Sequence, residues 1–120
     1  MRICITGGPG TGKTTLSKQY SVPVFHSDDF VKYGWDAQKT KTAALFNSPG
    51  PWVIEGVAVA RALRHWLRIS SKPPCDLLIV RKTVYRPISN QERNLLSGTE
   101  TVIAGLIQPL RRLGVAIKYD

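Results

Sequence analysis

Short apolar stretches alternate with longer amphipathic ones along the whole chain. The short stretches are rich in aliphatic, β-branched or aromatic residues, and they predict strands at Arg2–Thr6, Val22–His26, Trp52–Glu55, Asp76–Val80 and Val115–Lys118. Helical spacing predicts helices from Lys13 to about Tyr20 and over Asp36–Phe46, Val57–Ile69 and Glu100–Leu113. Strands that alternate with helices are typical of a parallel sheet with crossover helices on both faces, so the pattern predicts an α/β fold.

The helix predicted at Val57–Ile69 has the clearest amphipathic pattern. At about 100° per residue, Arg61, Arg64 and Arg68 lie on one side of it, and its apolar residues lie opposite. The apolar side predicts packing against the sheet. The arginine side is either solvated or contacts an anionic acceptor, and in the second case Arg61 and Arg64 are the expected contacts because they are nearest to the end of the third strand.

The most specific motif lies between the first strand and the first helix. It matches the pattern G-x-x-x-x-G-K-T in full and in the expected strand–loop–helix context. Glycines let backbone N–H groups converge on phosphate oxygens, the lysine can reach the β- and γ-phosphates, and the Thr14 hydroxyl can ligate Mg²⁺. The motif predicts a site for a nucleoside triphosphate and Mg²⁺ rather than an ordinary turn. The residues expected to hold the nucleotide are Gly7, Gly8, Pro9, Gly10, Thr11, Gly12, Lys13, Thr14 and Thr15.

Carboxylates follow the second and third strands, at the edge where ligands of open α/β sheets bind. Either Asp28 or Asp29 can accept a proton from an attacking hydroxyl; the alternative is that the pair forms a turn or a helix N-cap. Glu55 either holds Mg²⁺ together with Thr14 or stabilises the start of the following helix. Trp35, which is close to the two aspartates in the chain, is a candidate for stacking on the base of an acceptor.

The net charge favours an anionic partner. Seventeen Lys and Arg residues against eight Asp and Glu residues give +9, and residues 57–120 hold eleven and four of these, or +7. Part of this excess lies at 81–98, where we expect a basic lid that closes over a transferring phosphoryl group. Arg86 and Arg93 are the lid residues expected to act with Lys13 in catalysis; a solvated basic loop is the alternative.

These features resemble the adenylate-kinase-like P-loop kinases, and most closely the branch called DNA topology modulation proteins. The resemblance covers residues 1 to about 90 and rests on the glycine-rich motif, His26-Ser27-Asp28, Gly34-Trp35, Trp52–Gly56 and Asp76–Val80. It implies a three-layer α/β/α P-loop NTPase fold with a five-stranded parallel sheet of order 2-3-1-4-5, and ATP-dependent phosphoryl transfer. By position, Asp28 matches the family's acid after strand two and Glu55 its acid after strand three. The chain departs from the family at Val57-Ala58, where an asparagine and a tyrosine are usual.

The sequence therefore predicts one P-loop kinase domain over residues 1–120 that phosphorylates a nucleotide or another small, anionic acceptor. One alternative is a polynucleotide 5′-hydroxyl kinase, because polynucleotide kinases have a similar pair of aspartates after strand two. Another is a binding module whose affinity for nucleic acid is regulated by ATP. The chain has no apolar run near the ~20 residues of a membrane span, no secretory signal, and two cysteines without metal spacing, so we expect a cytoplasmic protein without membrane contacts.

Overall fold

Five parallel strands form one sheet in the computed structural model, which describes all 120 residues. They are β1 (Arg2–Thr6), β2 (Val24–His26), β3 (Trp52–Glu55), β4 (Leu77–Val80) and β5 (Ala116–Tyr119), in the spatial order β2-β3-β1-β4-β5. The five predicted strands and their order are confirmed, with small shifts at the strand ends. Because β1 pairs with β3 on one side and with β4 on the other, the loop that follows β1 leaves the centre of the sheet's carboxyl edge.

The helices are α1 (Lys13–Ser17), α2 (Trp35–Leu45), α3 (Val59–Ile69) and α4 (Asn90–Arg112), with a 3₁₀ helix at Ser27–Tyr33 before α2. Helices α2 and α3 agree with the prediction, whereas α1 is shorter and the 3₁₀ helix was not predicted. No helix of the protein combines the length and the hydropathy needed to cross a membrane.

The start of α4 corrects the sequence-based expectation most strongly. The helix begins at Asn90 rather than at Glu100, because Ser89 and Glu92 form a capping box. The Ser89 hydroxyl accepts from the Glu92 N–H, and the Glu92 carboxylate accepts from the Ser89 N–H, both at 3.1 Å. The second half of the segment expected as a lid is therefore helical, and only residues 81–89 connect β4 to α4.

The main core lies between one face of the sheet and the helices α2, α3 and α4. It contains 17 buried residues, among them Leu63 and Trp66 from the apolar side of α3, as the amphipathic pattern predicts. The opposite face has a smaller cluster of four, to which Leu16 of α1 adds. Alternate residues of β1 enter the two clusters, because successive side chains of a strand point to opposite faces. The sheet is thus covered on both faces, and its carboxyl edge remains for the site.

Candidate functional site

The glycine-rich loop, residues 7–12, connects β1 to α1 at the centre of the carboxyl edge. Gly10 and Gly12 have φ angles of 76° and 77°, in the left-handed region that side chains disfavour. At Gly8 the limit is space, because a Cβ atom there would overlap the Leu96 side chain and lie 2.9 Å from the Leu96 Cα. The glycines of the sequence motif are therefore required by the backbone and by the start of α4, which packs over the loop.

Lys13 folds back into the glycine-rich loop. Its Nζ donates to the Gly8 carbonyl oxygen at 2.7 Å and to Thr11 Oγ1 at 3.3 Å, and the residue is only 7% exposed. Burial lowers the pKa of Lys13, and the negative charges of Glu55 and Asp28 oppose that shift. Since loop oxygens and not a carboxylate hold the ammonium group, its charge is not neutralised by an ion pair.

A cavity of about 400 Å³ opens beside this loop and brings the main predicted residues together. Lys13, Thr14, Asp28, Glu55 and Arg86 all line it, although they come from the start of α1, the 3₁₀ helix, β3 and the segment after β4. The other loop residues divide into two groups: Pro9, Gly10, Gly12 and Thr15 also line the cavity, whereas Gly7, Gly8 and Thr11 are buried and do not. We call this space the loop cavity.

Glu55 is the buried acid of the loop cavity, at 2% exposure. Its Oε1 accepts from Thr14 Oγ1 at 3.1 Å and lies 2.5 Å from His26 Nδ1. Parallel pairing of β2 with β3 sets His26 opposite Glu55 in register, so the sheet itself positions the two side chains. The Thr14 hydroxyl and the Glu55 carboxylate are the hard oxygen donors that Mg²⁺ prefers, while no group of three or more His, Cys, Asp or Glu residues forms a metal site.

Asp28 and Asp29 both lie in the first turn of the 3₁₀ helix, but they differ in position. Asp28 lines the loop cavity and acts electrostatically on Lys13, whereas Asp29 does not line the cavity. Both are exposed. Geometry therefore favours Asp28 for contact with a ligand, a choice that the sequence leaves open.

The segment after β4 is fastened to the glycine-rich loop at two points. The Tyr85 N–H donates to the Gly10 carbonyl at 2.8 Å, and Arg81 Nε donates to the Thr11 carbonyl at 3.1 Å. Arg81 also forms an ion pair with Asp120 at 2.8 Å, which ties the end of β5 to the same place. The sequence indicates only that Arg81 belongs to a basic segment. In the structure, Arg81 connects the glycine-rich loop to the end of the chain beside β5.

Arg86 and Arg93, the two arginines expected in the lid, have different environments. Arg86 lines the loop cavity, and its guanidinium group donates to both oxygens of Glu92, at 2.8 and 3.4 Å. Hydrogen bonding from Arg86, followed by that from the Ser89 backbone, lowers the pKa of Glu92 to about 2. Arg93 is exposed and does not line the loop cavity; its neighbour in α4, Glu92, lines it instead.

A second cavity of about 620 Å³ adjoins the loop cavity and shares Glu92 and Leu95 with it. Trp35 and Arg61 line this second cavity, with the guanidinium carbon 5.0 Å from the centre of the Trp35 ring. That distance is typical of a cation–π contact. Two of the residues expected at an acceptor therefore meet, although Arg64 lies outside, in a groove between α3 and α4.

A third cavity, of about 280 Å³, lies where Arg81 and Tyr85 approach Gly12 and Thr15. Tyr85 is 64% exposed, and the Arg81 guanidinium carbon is 5.6 Å from its ring. Sequence reasoning missed Tyr85 and Glu92 as members of the site. The capping pattern at Ser89–Glu92 was a signal that could have located Glu92, whereas nothing in the local pattern marks Tyr85.

Comparison with known proteins assigns no family to this chain, because no family model and no curated protein matches it. The fold and the geometry of the three cavities therefore carry the functional argument.

Proposed function

We propose that this protein is a P-loop kinase that transfers the γ-phosphoryl group of ATP to a hydroxyl group of a small, anionic acceptor such as a nucleotide. The observation that carries the proposal is the meeting of Lys13, Thr14, Asp28, Glu55 and Arg86 in one cavity. Phosphoryl transfer needs cations at the phosphates, oxygen ligands for Mg²⁺ and a group that accepts the hydroxyl proton. The loop cavity holds each of these groups.

Triphosphate binding is supported by the glycine-rich loop. Its glycines leave room for phosphate oxygens to approach backbone N–H groups, and Lys13 supplies a positive charge without an ion-pair partner at the same place. Thr14 Oγ1 and Glu55 Oε1, 3.1 Å apart, fit Mg²⁺ as a pair of hard oxygen donors. When bound, Mg²⁺ would supply neutralisation of the negative charge on the phosphate oxygens.

In the proposed step, the acceptor oxygen forms a bond to the γ-phosphorus while the bond from that phosphorus to the β,γ-bridging oxygen breaks, and ADP leaves. Asp28 takes the hydroxyl proton, because it is the exposed carboxylate in the loop cavity. Glu55 is less suitable as that base, because it is buried at 2% exposure and is assigned to Mg²⁺ together with Thr14. Lys13 and Arg86 stabilise the charge that develops on the phosphoryl oxygens.

The acceptor would lie in the second cavity, next to the loop cavity. Trp35 offers an aromatic face and Arg61 a positive charge, which together suit a nucleobase or another ring that carries a phosphate. The two cavities share the Glu92 wall, so an acceptor there could present its hydroxyl group to Asp28. When a phosphate group binds, the Arg86 guanidinium group would release Glu92 and bind the phosphate, because a phosphate also accepts bidentate, charge-assisted hydrogen bonds.

The test is transfer of label from γ-labelled ATP with Mg²⁺ to separate pools of nucleosides, nucleotides and 5′-hydroxyl oligonucleotides. We expect label in at least one pool, and a loss of about 10²–10³-fold or more in Lys13→Ala, because a cation at the phosphates is removed. Lys18→Ala is the matched control, since Lys18 is exposed and lies just beyond α1. ATP-dependent binding of an oligonucleotide without transfer would refute the kinase and favour a regulated binding module.

A further inference from the structure

The arginines of α3 extend the basic lining of the second cavity along the helix. Arg61 lies in that cavity, and Arg64 and Arg68, about one and two turns further along α3, line a separate groove of about 290 Å³ between α3 and α4. The α4 side of this groove is formed by Thr101, Val102, Gly105 and Leu106. Because α3 follows β3, it begins at the carboxyl edge of the sheet, and the three arginines lead away from the loop cavity.

None of these three arginines is neutralised. The five ion pairs of the protein involve other residues, and the hydrogen-bond partner of Arg61 is the neutral Thr99 hydroxyl, 3.0 Å from Nη1. Burial and then the charge of Arg64 lower the pKa of Arg61, so Arg64 repels the charged guanidinium group of Arg61. Glu92 lines the second cavity with Arg61 but is paired with Arg86, and Glu100 of α4 lines a different cavity with Arg81 and Lys82. An anionic ligand would relieve this repulsion.

The distance that the three arginines span along α3 favours a chain of phosphates over a single phosphate. From Arg61 to Arg68 the helix rises about 10 Å, at 1.5 Å per residue. A single phosphate at Arg61 would leave Arg64 and Arg68 unused, whereas a chain of phosphates would engage all three. A base can stack on Trp35 only when it is unpaired, which favours a single strand over a duplex.

We infer that the acceptor is the 5′ end of a single-stranded nucleic acid, with its first base against Trp35 and its phosphates along Arg61, Arg64 and Arg68. The inference rests on the proposed phosphoryl transfer and replaces the small acceptor of that proposal with the end of a polymer. The 5′-hydroxyl oxygen bonds to the γ-phosphorus of ATP, the bond to the β,γ-bridging oxygen breaks, ADP leaves and Asp28 takes the proton. The 5′ end suits this geometry, because its hydroxyl is on an exocyclic carbon that can extend from the second cavity into the loop cavity.

Binding without nucleotide or metal tests the groove alone. Thymidine oligonucleotides of two, four and eight nucleotides, each with a 5′-hydroxyl and a 3′ fluorophore, are titrated with protein in EDTA and followed by anisotropy. We expect affinity to rise from two to four nucleotides. The double variant Arg64→Gln/Arg68→Gln should lose this gain, and its salt slope should fall by about 1.4, at about 0.7 per phosphate contact on a single strand. Arg111→Gln/Arg112→Gln is the control, with the same charge change outside the groove.

Transfer from γ-labelled ATP to the same length series, to single nucleotides and to a 5′-phosphorylated oligonucleotide completes the test. We expect kcat/KM to rise with length in the wild type and not in the groove variant, and no label on the 5′-phosphorylated strand. Equal transfer to single nucleotides and tetramers would overturn the inference and leave the kinase intact. Equal effects of the groove and control variants would also overturn the inference alone. Oligonucleotide binding without transfer to any acceptor would overturn both the inference and the proposed kinase.

Discussion

The two walls of the loop cavity are built differently. On the β3 side, Glu55 is buried at 2% exposure and hydrogen bonded to Thr14, with His26 held beside it by strand pairing. On the α4 side, Arg86 is exposed and meets Glu92 across the connection that precedes the helix. The wall on the β3 side is part of the sheet, whereas the wall on the α4 side is formed by an ion pair at the surface.

This difference separates two tasks of the proposed kinase. A buried acid with fixed partners is costly to move, which suits the positioning of a metal ion. An exposed ion pair is stabilised little, because water and salt screen it, so a phosphate can replace one partner. We therefore interpret the β3 side as the fixed wall and the α4 side as the exchangeable wall.

The largest loss of activity is expected on substitution of Asp28, the proposed base. Asp28→Asn should lower the rate of transfer by about 10²–10⁴-fold, the usual contribution of a general base. Asp29→Asn is the matched control, because Asp29 is also exposed but does not line the cavity. Steady-state kcat with saturating ATP measures both variants. Equal rates for the two variants would show that Asp28 is not the base.

Substitutions in the exchangeable wall should lower the rate of transfer without lowering the stability of the fold. Arg86→Gln should lower kcat by about 10²–10³-fold, since it removes a charge from the phosphoryl oxygens. Its melting temperature should stay close to that of the wild type, because the ion pair with Glu92 is at the surface. Arg93→Gln serves for comparison, and a similar loss of kcat in that variant would mean that the lid is assigned to the wrong arginine.

Substitution of Glu55 in the fixed wall should weaken the binding of Mg²⁺. Glu55→Gln keeps the size of the side chain but removes the charge, and the Mg²⁺ concentration for half-maximal transfer should rise by about 10–100-fold. A Mg²⁺ titration at saturating ATP measures this, with Glu92→Gln as the control on the opposite wall. An unchanged Mg²⁺ requirement in Glu55→Gln would instead assign Glu55 to holding Thr14 and His26 in place.

The smallest effect is on the pH dependence of stability. The pKa of Glu92 is lowered from 4.5 to about 2, so its ion pair stabilises the folded state above pH 4.5 and this contribution is lost as the pH falls toward 2. Glu92→Gln keeps the capping box but has no titrating group, so its stability should change less over that range. Thermal melts between pH 5 and 2 compare the two proteins. Parallel curves would show that the Arg86–Glu92 pair does not form in solution.

Local patterns explain which parts of the structure the sequence could predict. The strands follow from short apolar runs, and the glycine-rich loop follows from a motif whose glycines have backbone and packing reasons. The start of α4 was missed because the polar, basic composition near Arg86 and Arg93 hid a helix that is set by the cap at Ser89. Helix α4 buries only its later residues in the core, so its beginning carries no apolar periodicity.

Contacts between segments that are distant in the chain could not be predicted from the sequence. The stacking of Arg61 on Trp35 depends on how α3 packs against α2, and nothing local to either residue encodes that packing. The choice between Asp28 and Asp29 depends on the direction of a 3₁₀ helix that the sequence did not predict. Charge counts likewise indicated a basic second half without distinguishing the paired Arg81 and Arg86 from the unpaired arginines of α3.

The most direct test of the central claim is calorimetric titration of a non-hydrolysable ATP analogue with Mg²⁺ into the wild type, Lys13→Ala and Lys18→Ala. If the loop cavity is a triphosphate site, the wild type and Lys18→Ala should bind one analogue per chain with similar affinity. Lys13→Ala should bind it far more weakly, because the charge buried among the loop oxygens is lost. Equal affinity in all three proteins, or no binding to the wild type, would contradict the assignment of this loop as a triphosphate site.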